Sequence, residues 1–165
     1  MIKTKRMVLK PLTYKELGIL LDNRPDSLGE ISLAGLTKGD IPRRPVEIKR
    51  EKMRALPQEE HIWCTYFLMI DHEMQKAVGM LGFKGVPVDG EVEVGYGTAE
   101  SCRGRGYMSE ALGGLLDWAA GTGRCRKVTA DTHVDNTTSQ RVLHKCGFIR
   151  GGESGEMVHF GKVLG

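Results

Sequence analysis

The hexapeptide Arg-Gly-Arg-Gly-Tyr-Met at 103–108 joins a stretch that alternates like a strand to one that repeats like a helix. Gly104 and Gly106 let main-chain N–H groups turn inward with no Cβ in the way. The first helical turn adds unpaired donors and partial positive charge, and Arg103 and Arg105 add full charges. This is the chemistry of a pyrophosphate cradle. The same residues also fit a tight strand-to-helix turn with two solvated arginines. A dinucleotide fingerprint needs glycine at 109, where Ser109 stands, and a βαβ unit, whereas the preceding strands pattern as an antiparallel meander. The lysine motif of nucleoside-triphosphate loops is absent. Cys64, Cys102, Cys125 and Cys146 form no CxxC pair and no zinc spacing, so no metal site is expected. Bystander thiols, reduced in a cytoplasm, are the better reading.

The elements that position this turn follow from periodicity. Strands are expected at 4–12, 61–70, 75–84, 91–98, 127–133 and 157–163. Helices are expected from a Thr13 cap with Glu16 in capping-box spacing to about 22, at 43–56, at 107–120 and at 136–146. Gly147 followed by Phe148 closes the last helix in a Schellman arrangement. Residues 23–42 read as loop. The basic run at 43–54 is broken by Glu47 and Glu51, with Glu47–Arg50 and Glu51–Arg54 pairs expected on a solvated face. The element order implies an α/β domain, of α+β or mixed-sheet type.

Composition bounds the rest. The 165 residues argue for a single domain over 1–165. With 40% hydrophobic and 27% charged residues the chain is globular rather than disordered. A net charge of +3 is too small to imply a nucleic-acid partner and mildly favours an anionic ligand. Apolar runs are too short to cross a membrane, and the start lacks an apolar leader, so a cytoplasmic protein is expected.

Two blocks carry a family resemblance. The turn at 103–108 resembles the Q/R-x-x-G-x-G/A signature of the GNAT N-acetyltransferase superfamily, with Met108 replacing its last small residue. The block at 136–148 resembles the N-x-x-S-x-R-V-L-x-K-x-G-F stretch of the RimJ/RimL-like subfamily, which includes ribosomal-protein N-terminal acetyltransferases. The opening at 4–12 resembles the subfamily's first strand, and the resemblance covers nearly the whole chain. It implies a mostly antiparallel sheet of six to seven strands, splayed between the fourth and fifth and flanked by about four helices. It also implies acetyl transfer from acetyl-CoA, as co-substrate, to a primary amine by direct attack.

The resemblance assigns roles. Arg103, Gly104, Arg105, Gly106, Tyr107 and Met108 bind the cofactor phosphates, and the backbone of Tyr96, Gly97 and Thr98 binds the pantetheine. Asn136 is a coenzyme contact, a helix cap or both. Leu143 occupies the place where many relatives carry an acidic tyrosine. Ser139 is therefore the candidate acid for the thiolate, with a capping role as its alternative. Glu93 is the candidate base, with His133 and Glu156 behind it. Arg141 and Lys145 share a helix face and meet either phosphates or solvent. Only 17 residues follow Phe148, leaving room for two short strands and a tight turn. The ribosomal-protein enzymes as a group carry more there, so of the two acceptors the resemblance implies, a protein N-terminus and a small-molecule amine, the small molecule is the closer competitor. The protein is expected to be a monomer or homodimer. A non-catalytic acyl-CoA-binding module is the alternative that Leu143 would permit.

Overall fold

Stretches rich in β-branched and aromatic residues form one open sheet, and helices with apolar stripes cover it. The computed structural model describes residues 1–22 and 26–165, with Lys38 through its main chain only. Residues 23–25, the start of the loop expected over 23–42, lie outside the described residues.

The strands are β1 (Ile2–Lys3), β2 (Met7–Pro11), β3 (Ser27–Leu28), β4 (Ile31–Ser32), β5 (Phe67–Asp71), β6 (Lys76–Phe83), β7 (Glu91–Thr98), β8 (Lys127–His133), β9 (Ile149–Ser154) and β10 (Met157–Val163). The α-helices are α1 (Tyr14–Asp22), α2 (Arg43–Arg54), α3 (Tyr107–Gly121) and α4 (Thr137–Lys145). The sheet runs β1-β2-β5-β6-β7-β8-β10-β9, with the β3–β4 hairpin attached to β6. Strands β1, β3 and β4 have two residues each, which leaves seven full strands among the described residues, within the six to seven expected.

Along the main path every pair is antiparallel except β7–β8. That parallel pair holds for three positions only: Glu91 with Lys127, Val92 with Val128 and Glu93 with Thr129. Past Glu93, β7 stays bonded to β6 as far as Thr98, and β8 stays bonded to β10 as far as His133. The two half-sheets therefore part between the fourth and fifth full strands, where the splay is expected.

Packing fixes which way each residue of β7 faces. Trp118 of α3 contacts Phe67 and Phe83, with ring centroids 6.2 and 6.3 Å apart. Val94 is in register with Phe83, and Tyr96 with Leu81. Val94 and Tyr96 thus share the α3 face, and Glu93, Gly95 and Gly97 take the other. On α3, Met108, Ala111, Leu112 and Leu115 are all buried, so the methionine that replaces a small signature residue packs into the core.

Caps form where local spacing predicts them. Thr13 and Glu16 exchange main-chain-to-side-chain bonds of 3.1 Å in both directions. Phe148 N donates to Leu143 O (2.9 Å) across Gly147 at φ +84°, the expected Schellman closure.

Three expectations need correction. Residues 61–66 are not strand: a 3-10 helix spans Gln58–Trp63 and β5 begins at Phe67. Trp63 enters the core there against Trp118 and Phe83, at 4.9 and 5.1 Å, so its aromatic character reports burial rather than strand. Likewise 4–12 is not one strand, because a turn between β1 and β2, with Thr4 N donating to Met7 O (2.9 Å), interrupts it. Finally, α2 is not solvated all round. Lys49 is buried, and Arg50 stacks on Tyr14 instead of pairing with Glu47. The surface pairs are Arg43 and Arg44 with Glu47, and Arg44 with Glu51.

Candidate active site

Strand β7 leads through a 3-10 turn (Glu100–Cys102) into the glycine turn and α3. Gly104 (φ +77°) and Gly106 (φ +75°) both lie in the left-handed region, which a side chain would strain. Gly106 is the N-cap of α3 and supplies no side-chain acceptor. The first amides of α3 have no partner within the helix, so the turn presents main-chain donors beside Arg103 and Arg105.

Two adjoining cavities continue from this turn. One, of about 260 Å³, is bordered by Gly104, Gly106, Tyr107, Arg141 and Lys145. The next, of about 310 Å³, is bordered by Tyr96, Gly97, Thr98, Asn136 and Ser139. Arg103 and Met108 border both. Arg105 faces a separate opening of about 600 Å³ together with Lys5, Arg6 and Lys145. The expected cofactor residues other than Arg105 thus border a groove of two adjoining cavities, and Arg105 borders the separate opening. Tyr107 can offer its main chain only, because its buried phenol donates to Asp71 Oδ2 (2.7 Å).

The two readings of Ser139 separate here. Asn136 is the N-cap, its Oδ1 accepting from Ser139 N at 3.0 Å. The Ser139 hydroxyl takes no part in the cap. It lies 2.8 Å from the Tyr96 phenol oxygen, which also reaches Ser139 O at 3.3 Å. Burial pushes the Tyr96 phenol up to about 12, against the lowering effect of the Ser139 bond. Leu143 is fully buried and presents no polar group to the groove.

The candidate bases stand apart from that groove. Glu93, the last residue of β7 paired to β8, is on the opposite face in an ion pair with Lys84. His133 Nδ1 accepts from Asp135 N (3.1 Å), so Nε2 carries the proton and donates to Glu156 Oε2 (3.2 Å). With that tautomer both ring nitrogens are already hydrogen-bonded. All four cysteines are free thiols, and burial pushes those of Cys64, Cys125 and Cys146 up.

Sequence reasoning missed three features. Asp40 and Met80 form, with Tyr96, Gly97, Thr98 and the Tyr66 already expected in the core or a pocket wall, a third cavity of about 210 Å³. Asp131 Oδ1 and His159 Nδ1 pair at 2.6 Å, joining strands 28 residues apart in sequence. Arg6 and Glu110 pair at 2.7 Å across 104 residues. Burial works to raise the Glu110 carboxyl, but bonds from Thr4 and Arg6 outweigh it and hold the group below its usual range.

Comparison with known proteins agrees with this geometry. The acetyltransferase (GNAT) domain model matches residues 6–149. The Bacillus subtilis (strain 168) protein named as the uncharacterized N-acetyltransferase YjdG is 35% identical over 95 residues, which cover 57% of this chain and 56% of that protein. The ribosomal-protein-serine acetyltransferase of Escherichia coli (strain K12) is 34% identical over 73 residues, covering 44% and 41%. The chain spans about half the length of the curated relatives it matches. Among solved structures, RimL, a ribosomal L7/L12 alpha-N-protein acetyltransferase in complex with coenzyme A, superposes with a TM-score of 0.68 at 20% identity, covering 98% of this chain and 96% of that one. A match over residues 6–149 is most of the molecule, and with it the chain belongs to the GNAT acetyltransferase family.

Proposed function

We propose that residues 1–165 act as one catalytic domain that transfers an acetyl group from acetyl-CoA to a primary amine in a ternary complex. The observation that carries this reading is the continuity of the left-handed glycine turn with the opening between β7 and β8. Acetyl-CoA supplies the acetyl group as a thioester. The main-chain amides of residues 104–108, with Arg103 and Arg105, hold the pyrophosphate. The backbone of Tyr96, Gly97 and Thr98, without β8 partners, bonds the pantetheine arm. Glu93 takes the amine proton from the far face of β7, and Ser139 gives a proton to the departing sulfur.

The 210 Å³ cavity at Asp40 and Tyr66 abuts the same three residues of β7. It suits the acceptor and has room for a small amine or the first residue of a peptide. A protein N-terminus and a small-molecule amine both remain within this reading.

Titration calorimetry tests the cradle. Coenzyme A binds the wild type, and the Arg103→Glu, Arg105→Glu double variant is expected to lose that binding while staying folded. Unchanged affinity in the folded variant would overturn the assignment. Direct attack predicts no acyl-enzyme, in keeping with buried thiols whose ionisation is suppressed. Intact-mass spectrometry after incubation with acetyl-CoA alone should show no stoichiometric acetyl adduct; an adduct removed by mutating Cys102 or Cys146 would refute it.

A further inference from the structure

We propose that Arg6 is a positioning residue that sets which way the peptide between Arg105 and Gly106 faces, and thereby keeps the 103–108 turn able to bind phosphate. The proposal rests on the reading of that turn as the coenzyme A cradle.

Arg6 lies in the turn between β1 and β2, behind the glycine loop. Its Nη1 donates to Arg105 O at 2.9 Å. Its Nε donates to Glu110 Oε2, and its main-chain N to Glu110 Oε1, both at 2.7 Å. Thr4 Oγ1 donates to the same Oε1 at 2.7 Å. The guanidinium lies 4.4 Å from the centre of the Tyr107 ring, which is itself tied to Asp71. Asp71 Oδ1 in turn accepts from the amides of Glu73 and Met74. The arginine is thereby fixed on three sides, and one N–H of its fork is directed at the loop carbonyl.

That carbonyl controls the cradle. In a trans peptide the C=O and the following N–H point in opposite directions. Holding Arg105 O toward Arg6 therefore turns the Gly106 N–H away from Arg6, and Gly106 borders the 260 Å³ cavity as well as the opening that holds Arg6. Glycine tolerates φ of either sign, so Gly106 offers little resistance to a flip of this plane. Released from Arg6, the plane can reverse and present an oxygen where a phosphate must sit. Glu110 also neutralises Arg6, which separates its role from the charge that Arg103 and Arg105 contribute.

Lysine keeps the charge but cannot bond Glu110 and Arg105 O together in a fixed fork. Arg6→Lys is expected to weaken coenzyme A binding about tenfold or more, the scale of a lost hydrogen bond from a charged donor. Dephospho-coenzyme A should weaken by the same factor, since the turn itself is altered. Glu110→Gln, which loosens the grip without touching the loop, should shift both affinities in the same direction by less. The ¹⁵N–¹H resonance of Gly106 should move in both variants, a change that loss of global stability alone would not produce. Calorimetry and the spectra are taken at a temperature where melting curves show every variant folded.

Wild-type affinity in Arg6→Lys would overturn the proposal. So would a loss confined to coenzyme A with dephospho-coenzyme A unaffected, because that marks Arg6 as a direct ligand of the 3′-phosphate. Failure of the wild type itself to bind coenzyme A would instead remove the cradle reading and the proposal with it.

Discussion

Ser139→Ala is expected to turn over about a hundredfold more slowly than the wild type, with its melting temperature and coenzyme A affinity nearly unchanged. Asn136 caps α4 through its own side chain, so removing the Ser139 hydroxyl takes nothing from the helix end. What goes is the hydroxyl beside the Tyr96 phenol, in the cavity that the pantetheine arm is proposed to enter. A general acid is typically worth ~10²–10⁴ in rate, and a hydroxyl that donates without a strong acid behind it belongs at the low end. Loss of a contact made only in the transition state lowers kcat and leaves cofactor binding alone. Tyr96→Phe should cost less, because Ser139 remains. The assay is thiol release from acetyl-CoA with whichever amine proves fastest in an acceptor screen. Normal turnover in Ser139→Ala would exclude the catalytic role, and a stability loss with normal turnover would leave the hydroxyl a structural partner of Tyr96.

Lys49 sets the second large effect, on stability against pH. Its ammonium is buried under the Tyr66 ring at 4.3 Å and donates to Phe83 O at 2.7 Å. Burial is the main cause that brings its pKa from 10.5 to about 7. Lys52 and Lys84 push the same way and Cys64 opposes them. Between those values the unfolded chain holds a proton that the folded chain has released, so stability rises with pH. Below about 7 both states are protonated and the folded state carries the full cost of a buried charge. From pH 7 to pH 9 the gain is about 2 kcal/mol, at up to ~1.4 kcal/mol per pH unit. Denaturant titrations of wild type and Lys49→Met at pH 7, 8 and 9 isolate this contribution. The variant should lack the rise, and parallel profiles would show that Lys49 does not titrate in this range.

The sequence was most legible where structure is decided within a few residues. Thr13 with Glu16, Asn136 with Ser139 and Gly147 with Phe148 each close a helix end through neighbours three to five positions away. Gly104 and Gly106 announce a backbone that only glycine adopts easily. The splay of the sheet came from family resemblance rather than from periodicity, and the three-residue β7–β8 register agrees with it. Legibility failed wherever a distant partner decides. Residues 61 to 70 were expected as one strand for their aromatic and β-branched content, but Trp63 packs on Trp118 from a 3-10 turn and the strand begins only at Phe67. Lys49 carries the pattern of an exposed helix face and is buried by the end of β6. The β3 and β4 dipeptides are too short to show a period of two. Within the site, Tyr96 was expected to serve through its backbone, yet its phenol reaches Ser139 43 residues on. Arg6 meets Glu110 across 104 residues, a pairing no local pattern announces.

An open sheet ordinarily has two edges, and this one has four. Besides its outer margins, the early end of the β7–β8 register leaves two inner margins, along residues 94–98 and 130–133. Unpaired strand edges invite pairing with other chains, which is why proteins shield them. These inner edges are shielded by their placement. They face each other within one sheet, and Tyr96 reaches from one of them to the start of α4. The same break in pairing that we propose admits a pantetheine arm thus leaves its two edges facing each other rather than open to a foreign strand.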